Sequence, residues 1–131
     1  MLECIPYYEP GDRITVEAKA PLIAKRFVKL AAAGAKANGK VLPAEPATAG
    51  TDALLGVVGF DQPTIGQTTV VYSIGVGYYV PVTAGAALSP GAWVGVGADG
   101  KAAVAADRAS AVGRCFNTAA VDEDAFVRLS V

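Results

Sequence analysis

Few side chains in this sequence are placed to do chemistry. Asp122-Glu123-Asp124 sets three carboxylates side by side, the kind of group that attracts a hard cation, but the ligand spacing of a calcium loop is missing around it. The triplet reads instead as a solvated turn between strands. Gly75-Val76-Gly77 and Gly95-Val96-Gly97 each carry the start of a phosphate-cradling loop. Neither has the third glycine, the following helix or the βαβ frame that a dinucleotide site needs. Ser73, Ser89, Ser110 and Ser130 have no histidine to activate them, because the sequence contains none, and nothing marks a Ser–Lys dyad. A carboxylate pair for glycoside hydrolysis would normally sit in an aromatic-lined cleft, and a single Trp is a poor start for one.

Without histidine the commonest general base and the commonest transition-metal ligand are both missing. Cys4 and Cys115 lie too far apart in sequence to form a metal-ligand motif. A disulfide between them is chemically allowed, but nothing else points to an oxidising compartment. Cys115, flanked by Gly113 and Phe116 in a β-type pattern, reads as a small buried hydrophobe. The expectation is therefore a protein that is not an enzyme and uses no cofactor and no metal.

The bulk composition agrees. The chain has 131 residues, 53% of them hydrophobic, with 15 Gly and 8 Pro, which is the composition of one folded domain with a real core. Its 11 basic and 12 acidic residues nearly balance. A protein that binds duplex nucleic acid needs a basic face to displace counterions, so no nucleic-acid partner is expected. No window approaches the roughly 18 uninterrupted apolar residues of a membrane span, so no membrane partner is expected either. The opening MLECIPYYEPGD lacks the basic region and apolar stretch of a signal peptide, so synthesis and retention in a cytoplasm are expected.

The elements that must position any site read as short strands. Arg13–Ala18 alternates, with Ile14 and Val16 on one face. Further strand regions are Leu22–Leu30, Val41–Leu42, Leu54–Phe60, Thr68–Ser73, Gly75–Val82, Ala92–Val96, Ala102–Ala105, Ser110–Thr118 and Ala125–Val131. Pro43–Gly50 reads as a loop, and Ala98–Lys101 as a tight Asp-Gly hairpin turn. A helix over Ala20–Ala37 is tempting from its alanines and lysines. It is rejected because the matching segment Leu88–Val96 contains Pro90 and Gly91.

That match belongs to an internal repeat. Leu22 pairs with Leu88, Phe27 with Trp93, Val28 with Val94 and Leu30 with Val96, and each copy then runs to a Gly-Lys after a loop. Leu55-Gly56-Val57-Val58 matches Val112-Gly113-Arg114-Cys115 at an offset that carries Val70 onto Val127. The predicted fold is all-β: a small compact barrel or sandwich of short strands, three or four per copy. The copies cover about 20–73 and 86–131 within a single β domain of residues 13–131, preceded by an extended arm of residues 1–12. The arm carries Leu2, Ile5, Tyr7 and Tyr8, apolar side chains that need a surface, either their own barrel or a neighbouring subunit. Tyr78 and Tyr79 must point to opposite faces of one strand, one into the core and one outward. Trp93 is either core, like Phe27, or an interface anchor.

Three segments carry a resemblance. Tyr8-Glu9-Pro10-Gly11-Asp12-Arg13-Ile14, the run Val80-Pro81-Val82-Thr83-Ala84-Gly85-Ala86-Ala87-Leu88-Ser89-Pro90-Gly91, and Ala111-Val112-Gly113-Arg114 through Val127-Arg128-Leu129 together resemble the small capsid decoration, or cement, proteins of tailed bacteriophages. The resemblance implies a β-rich homotrimer on the outer surface of the virion head, made in the host cytoplasm. It would bind the major capsid protein and staple neighbouring capsomers. It also implies shell contact by the arm residues Leu2, Ile5, Tyr7 and Tyr8. Tyr78, Tyr79 and Trp93 are candidates for the trimer interface. A receptor- or glycan-binding β-domain displayed on a particle is the alternative.

Overall fold

The computed structural model describes residues 13–31, 41–49, 53–74 and 77–129. The arm residues Leu2, Ile5, Tyr7 and Tyr8, and Cys4, lie outside them, as does most of the alanine-rich stretch after Leu30. The fold is all-β. Among the described residues ten strands run in chain order: β1 Ile14–Ala18, β2 Phe27–Leu30, β3 Leu42–Pro46, β4 Leu54–Val58, β5 Thr68–Ser73, β6 Tyr79–Thr83, β7 Trp93–Val96, β8 Ala102–Val104, β9 Gly113–Cys115 and β10 Asp124–Arg128. Among the described residues the only helical pieces are two single 3₁₀ turns, Ala98–Gly100 and Arg108–Ser110.

Strands β1–β5 close a barrel in the order β1-β3-β2-β4-β5, and β6–β10 form a second sheet in the order β6-β10-β9-β7-β8. The two halves repeat each other ladder by ladder. Phe27 faces Val57 across β2–β4, and Trp93 faces Arg114 across β7–β9. Ala44 sits between Ala18 and Leu30, and Ala102 between Ala84 and Val96. Leu22 makes an isolated bridge to Gln62, and Leu88 makes one to Ala119. Each copy thus holds five strands rather than three or four. The sequence pairing of Val70 with Val127 is off by one: Val71 lies opposite Ile14 as Val127 lies opposite Val80, the equivalent residue of the first strand in each half. The turn before β10 is one residue shorter than the turn before β5. Gly66 and Asp122 hold equivalent places there, each with a positive φ and each donating its N–H to the matching alanine carbonyl, Ala18 or Ala84.

Several segments depart from the sequence reading. Of the expected Ser110–Thr118 strand only Gly113–Cys115 is one, with Ser110 in a 3₁₀ turn, and the strand expected over Gly75–Val82 runs as Tyr79–Thr83. Only Phe27–Leu30 of the expected Leu22–Leu30 strand is a strand, because Lys25 takes a left-handed φ of 66° and turns the chain, as Gly91 does in the second copy. Leu42–Pro46, expected to be mostly loop, is the interior strand β3. Pro43 joins this ladder as an acceptor, taking the N–H of Ala31 on its carbonyl. Proline lacks the donor that makes it unwelcome in a sheet, but not the acceptor.

Glycine at Gly56 and Gly113 has one cause in both copies. A Cβ at Gly56 would run into the Tyr72 carbonyl, and a Cβ at Gly113 into the Arg128 carbonyl. These are equivalent points where the fourth strand of each half comes close to a carbonyl of the last strand. The Ala98–Lys101 turn is the Asp-Gly hairpin turn expected. Asp99 and Gly100 both have positive φ, and the Lys101 N–H donates to the Ala98 carbonyl at 3.2 Å.

The halves share a core, and the second is incomplete without the first. The barrel interior is filled by Ile14, Val16, Ala18, Leu22, Val28, Ala44, Val58 and Val71. Phe27 points out of that barrel and is fully buried among Val80, Val82, Val94, Val127 and Leu129 of the second half. In the barrel, β1 and β3 pair over three residues; in the second sheet the tight turn cuts the equivalent ladder to the single bridge Ala84–Ala102. The Lys25–Phe27 segment lies in the gap. The Thr83 N–H donates to the Lys25 carbonyl at 2.8 Å, and a Cβ on Gly100 would come within 2.5 Å of the Phe27 carbonyl oxygen. An ion pair from Lys25 Nζ to Asp124, 2.9 Å, lies at the rim of this junction.

Candidate functional site

The outward face of the second sheet is built by strict alternation. In β10, Ala125 and Val127 are buried while Phe126 and Arg128 are exposed; in β6, Val80 and Val82 are buried while Tyr79 and Pro81 are exposed. Arg114 and Phe116 emerge on the same side of β9, and Trp93 of β7 is half-buried beside them. Register then assembles a row of four side chains across four strands. Trp93 is opposite Arg114, Arg114 opposite Arg128, and Arg128 opposite Tyr79.

The row is held flat by its own chemistry. The Arg114 guanidinium lies 4.6 Å from the Trp93 ring centroid, and its Nε donates to the Gly91 carbonyl at 3.1 Å. The Arg128 guanidinium lies 5.8 Å from the Tyr79 ring centroid. Stacking of this kind is worth about 0.5–1 kcal/mol at an exposed site, and it leaves guanidinium edges free to donate. Two like charges directly opposite each other across a strand pair are unfavourable without an anion to neutralise them. Next to the row, Tyr79 contacts Phe116 at 5.6 Å and Phe126 at 5.8 Å between ring centroids. All three rings are about half exposed: Tyr79 55%, Phe116 49% and Phe126 49%. Tyr, Trp, Phe and Arg are over-represented at protein interfaces, and here six of them share one face.

The first half supplies a control. Three of its four equivalent positions, Phe27, Val57 and Tyr72, pack into the core shared with the second half, while the fourth, Arg13, is exposed. The same face of the same scaffold is therefore used for docking once inside the molecule.

Of the residues singled out from sequence, Tyr79 and Trp93 lie on this face. Tyr78 does not: it is half-buried in the seam between the halves, its ring edge-on to Tyr72 at 5.3 Å. The split of the tyrosine pair into one inward and one outward residue holds. Trp93, although it matches Phe27 in the repeat, is absent from the buried core. Arg114, Arg128, Phe116 and Phe126 were not picked out from sequence. Cys115 is fully buried and free, its Sγ donating to the Asn117 carbonyl at 3.1 Å. The acidic turn is engaged by its own surroundings. Asp122 pairs with Lys101 at 2.8 Å, and this hydrogen bond and charge hold its carboxyl below the ordinary value. Glu123 accepts from the Ala120 N–H at 2.7 Å. Among the described residues no cluster of His, Cys, Asp or Glu could hold a metal ion, and no helix is long and apolar enough to cross a membrane.

No protein-family model matches this chain, and no curated protein matches it. Among solved structures, it is similar to the N base of the head fiber protein gp8.5 of bacteriophage phi29. The TM-score is 0.70 at 18% sequence identity, over 91% of this chain and 93% of that one. At this identity the likeness is one of fold, and it extends over both halves.

Proposed function

We propose that this chain is a structural protein of a phage head, a decoration or cement protein that sits on the outer capsid surface and binds the major capsid protein. What carries the reading is the likeness over nearly the whole chain to a protein that is itself a phage head-fiber base. The reading is supported by a chain rich in packing and poor in reactive groups, and by an outward aromatic–arginine face with the composition of an interface. In this reading the arm residues Leu2, Ile5, Tyr7 and Tyr8 contact the shell. Tyr79 and Trp93 serve the seam of a homotrimer, while Tyr78 supports them from the junction between the halves. Three arms on one trimer act together, so modest single contacts give tight attachment through effective concentration.

Co-sedimentation with empty heads tests this. Protein lacking Met1–Glu9 is expected to stay folded and to remain in the supernatant while the full chain pellets. Full binding by the shortened protein would refute arm-mediated attachment. The exposed Tyr79, Phe116 and Phe126 rings also suit sugar stacking, which favours the glycan-binding alternative; binding on a glycan array by the purified protein would select that reading.

A further inference from the structure

We propose that the Trp93–Arg114–Arg128–Tyr79 row of one copy receives the tip of the barrel of the next copy, formed by Ile23, Phe60, Asp61 and Ile65. The inference rests on the homotrimer reading and names the other side of its seam. A ring of three closes only through a heterologous contact, in which a patch on one copy meets a different patch on its neighbour. The row is one such patch. Its two opposed guanidiniums ask for a partner that brings a carboxylate together with apolar side chains. The described acids narrow the choice. Glu17, Glu45, Asp122 and Asp124 are paired with lysines. Asp99, Asp107 and Glu123 lie in turns of the row's own sheet. Asp61 lies in the other half. Its carboxylate accepts the Ala24 N–H at 2.7 Å and, among the described residues, meets no lysine or arginine.

The β1–β2 and β4–β5 turns leave the same end of the barrel, and three large apolar side chains stand exposed on them: Phe60 at 61%, Ile65 at 62%, and Ile23. The repeat shows that the fold does not call for all of them. Beside the equivalent bridges Leu22–Gln62 and Leu88–Ala119, the second half has Ser89 where the first has Ile23, and Asn117 where the first has Phe60. The tip is also rigid. Leu22 and Gln62 exchange two N–H···O bonds of 2.8 Å, the Gly66 N–H donates to the Ala18 carbonyl at 2.8 Å, and Thr69 Oγ1 donates to the Phe60 carbonyl at 2.8 Å. A patch held in place before contact loses little freedom on binding. The two patches adjoin. Ala24 and Gly59, next in the chain to Ile23 and Phe60, line a hollow of about 310 Å³ with Tyr78, Tyr79 and Pro81 at the near end of the row. Patches that share an edge form the two sides of a wedge, and wedges of this kind pack around an axis that runs along the shared edge.

Trp93 is the single tryptophan, so acrylamide quenching of its fluorescence reports on the row, while sedimentation reports on assembly. Both are measured on the full chain and on two full-length tip variants. Phe60→Ser/Ile65→Ser removes apolar side chains, and Asp61→Asn removes the charge but keeps the oxygen that accepts from Ala24; circular dichroism checks that each is folded. The full chain should sediment as a trimer, and its Trp93 quenching constant should fall about two-fold as rising protein concentration drives assembly, because the seam covers the ring. Phe60→Ser/Ile65→Ser should assemble at least ~30-fold more weakly and keep the high quenching constant at concentrations where the full chain is trimeric. Asp61→Asn should weaken assembly about five-fold. Tip variants as trimeric as the full chain overturn the proposal and leave the homotrimer standing. So does a full-chain trimer whose Trp93 is quenched as strongly as in the dilute monomer. A full chain that stays monomeric at every concentration overturns the trimer reading itself, and this inference with it.

Discussion

Phe27 and Trp93 occupy the same place in the two copies, so truncating each to alanine measures what the junction between the halves is worth. Phe27 is fully buried, and removing it withdraws an aromatic ring from a shared core. The transfer term for a buried Phe is about 2–3 kcal/mol, and the hole left between two sheets that cannot close adds to it, for a total of about 3–5 kcal/mol. Trp93 is half-buried on the outward face and loses partial burial plus one guanidinium stack, together about 1–2 kcal/mol. The expected difference is about 2–3 kcal/mol. With a urea m-value of about 1–3 kcal/mol/M, this separates the two midpoints by roughly 1–2 M. Far-UV circular dichroism should follow both transitions, because Trp93→Ala removes the fluorescent probe. Equal midpoints for the two variants would refute the claim that the second half closes on Phe27, as would separate unfolding of the halves in the wild type.

Alanine at Gly56 or Gly113 should cost about 2–3 kcal/mol at either site in urea denaturation, since both Cβ atoms meet a strand carbonyl; Gly56→Ala should be the worse, because its φ of 154° also strains the backbone. Asp122 should titrate below the ordinary carboxylate range in a side-chain NMR pH series, and Lys101→Met should return it to that range. Its folded pKa is depressed, so its contribution to stability is present at neutral pH and is lost as pH falls through that depressed value; Lys101→Met should leave less stability to lose on acidification.

The repeat was legible because it rests on residues whose causes are local. Leu22 and Leu88, Phe27 and Trp93, Gly56 and Gly113 keep their spacing because the same ladder needs them. The Asp-Gly turn was legible from dipeptide chemistry alone. β3 was hidden by Pro43 and Pro46, since its membership depends on long-range partners that accept what a proline can offer. The arginines of the outward face were hidden for a related reason. Arg114 and Arg128 look like ordinary exposed positions until the β9–β10 register sets them opposite each other and next to Trp93 and Tyr79. Register is a property of pairs of strands, which the pattern along a single strand does not carry.

The gap in the second sheet, filled by Lys25–Phe27 of the first, also decides how this protein could misassemble. A fragment beginning near Tyr78 would present a socket with no plug, and a fragment ending near Ser73 would present the plug. If the Ile74–Tyr78 connection were cut too short for the plug to reach its own socket, the plug of one molecule would enter the socket of the next, and each exchange would leave another pair open at the ends. A tether long enough for self-closure is therefore what keeps a self-completing molecule from becoming a link in a filament.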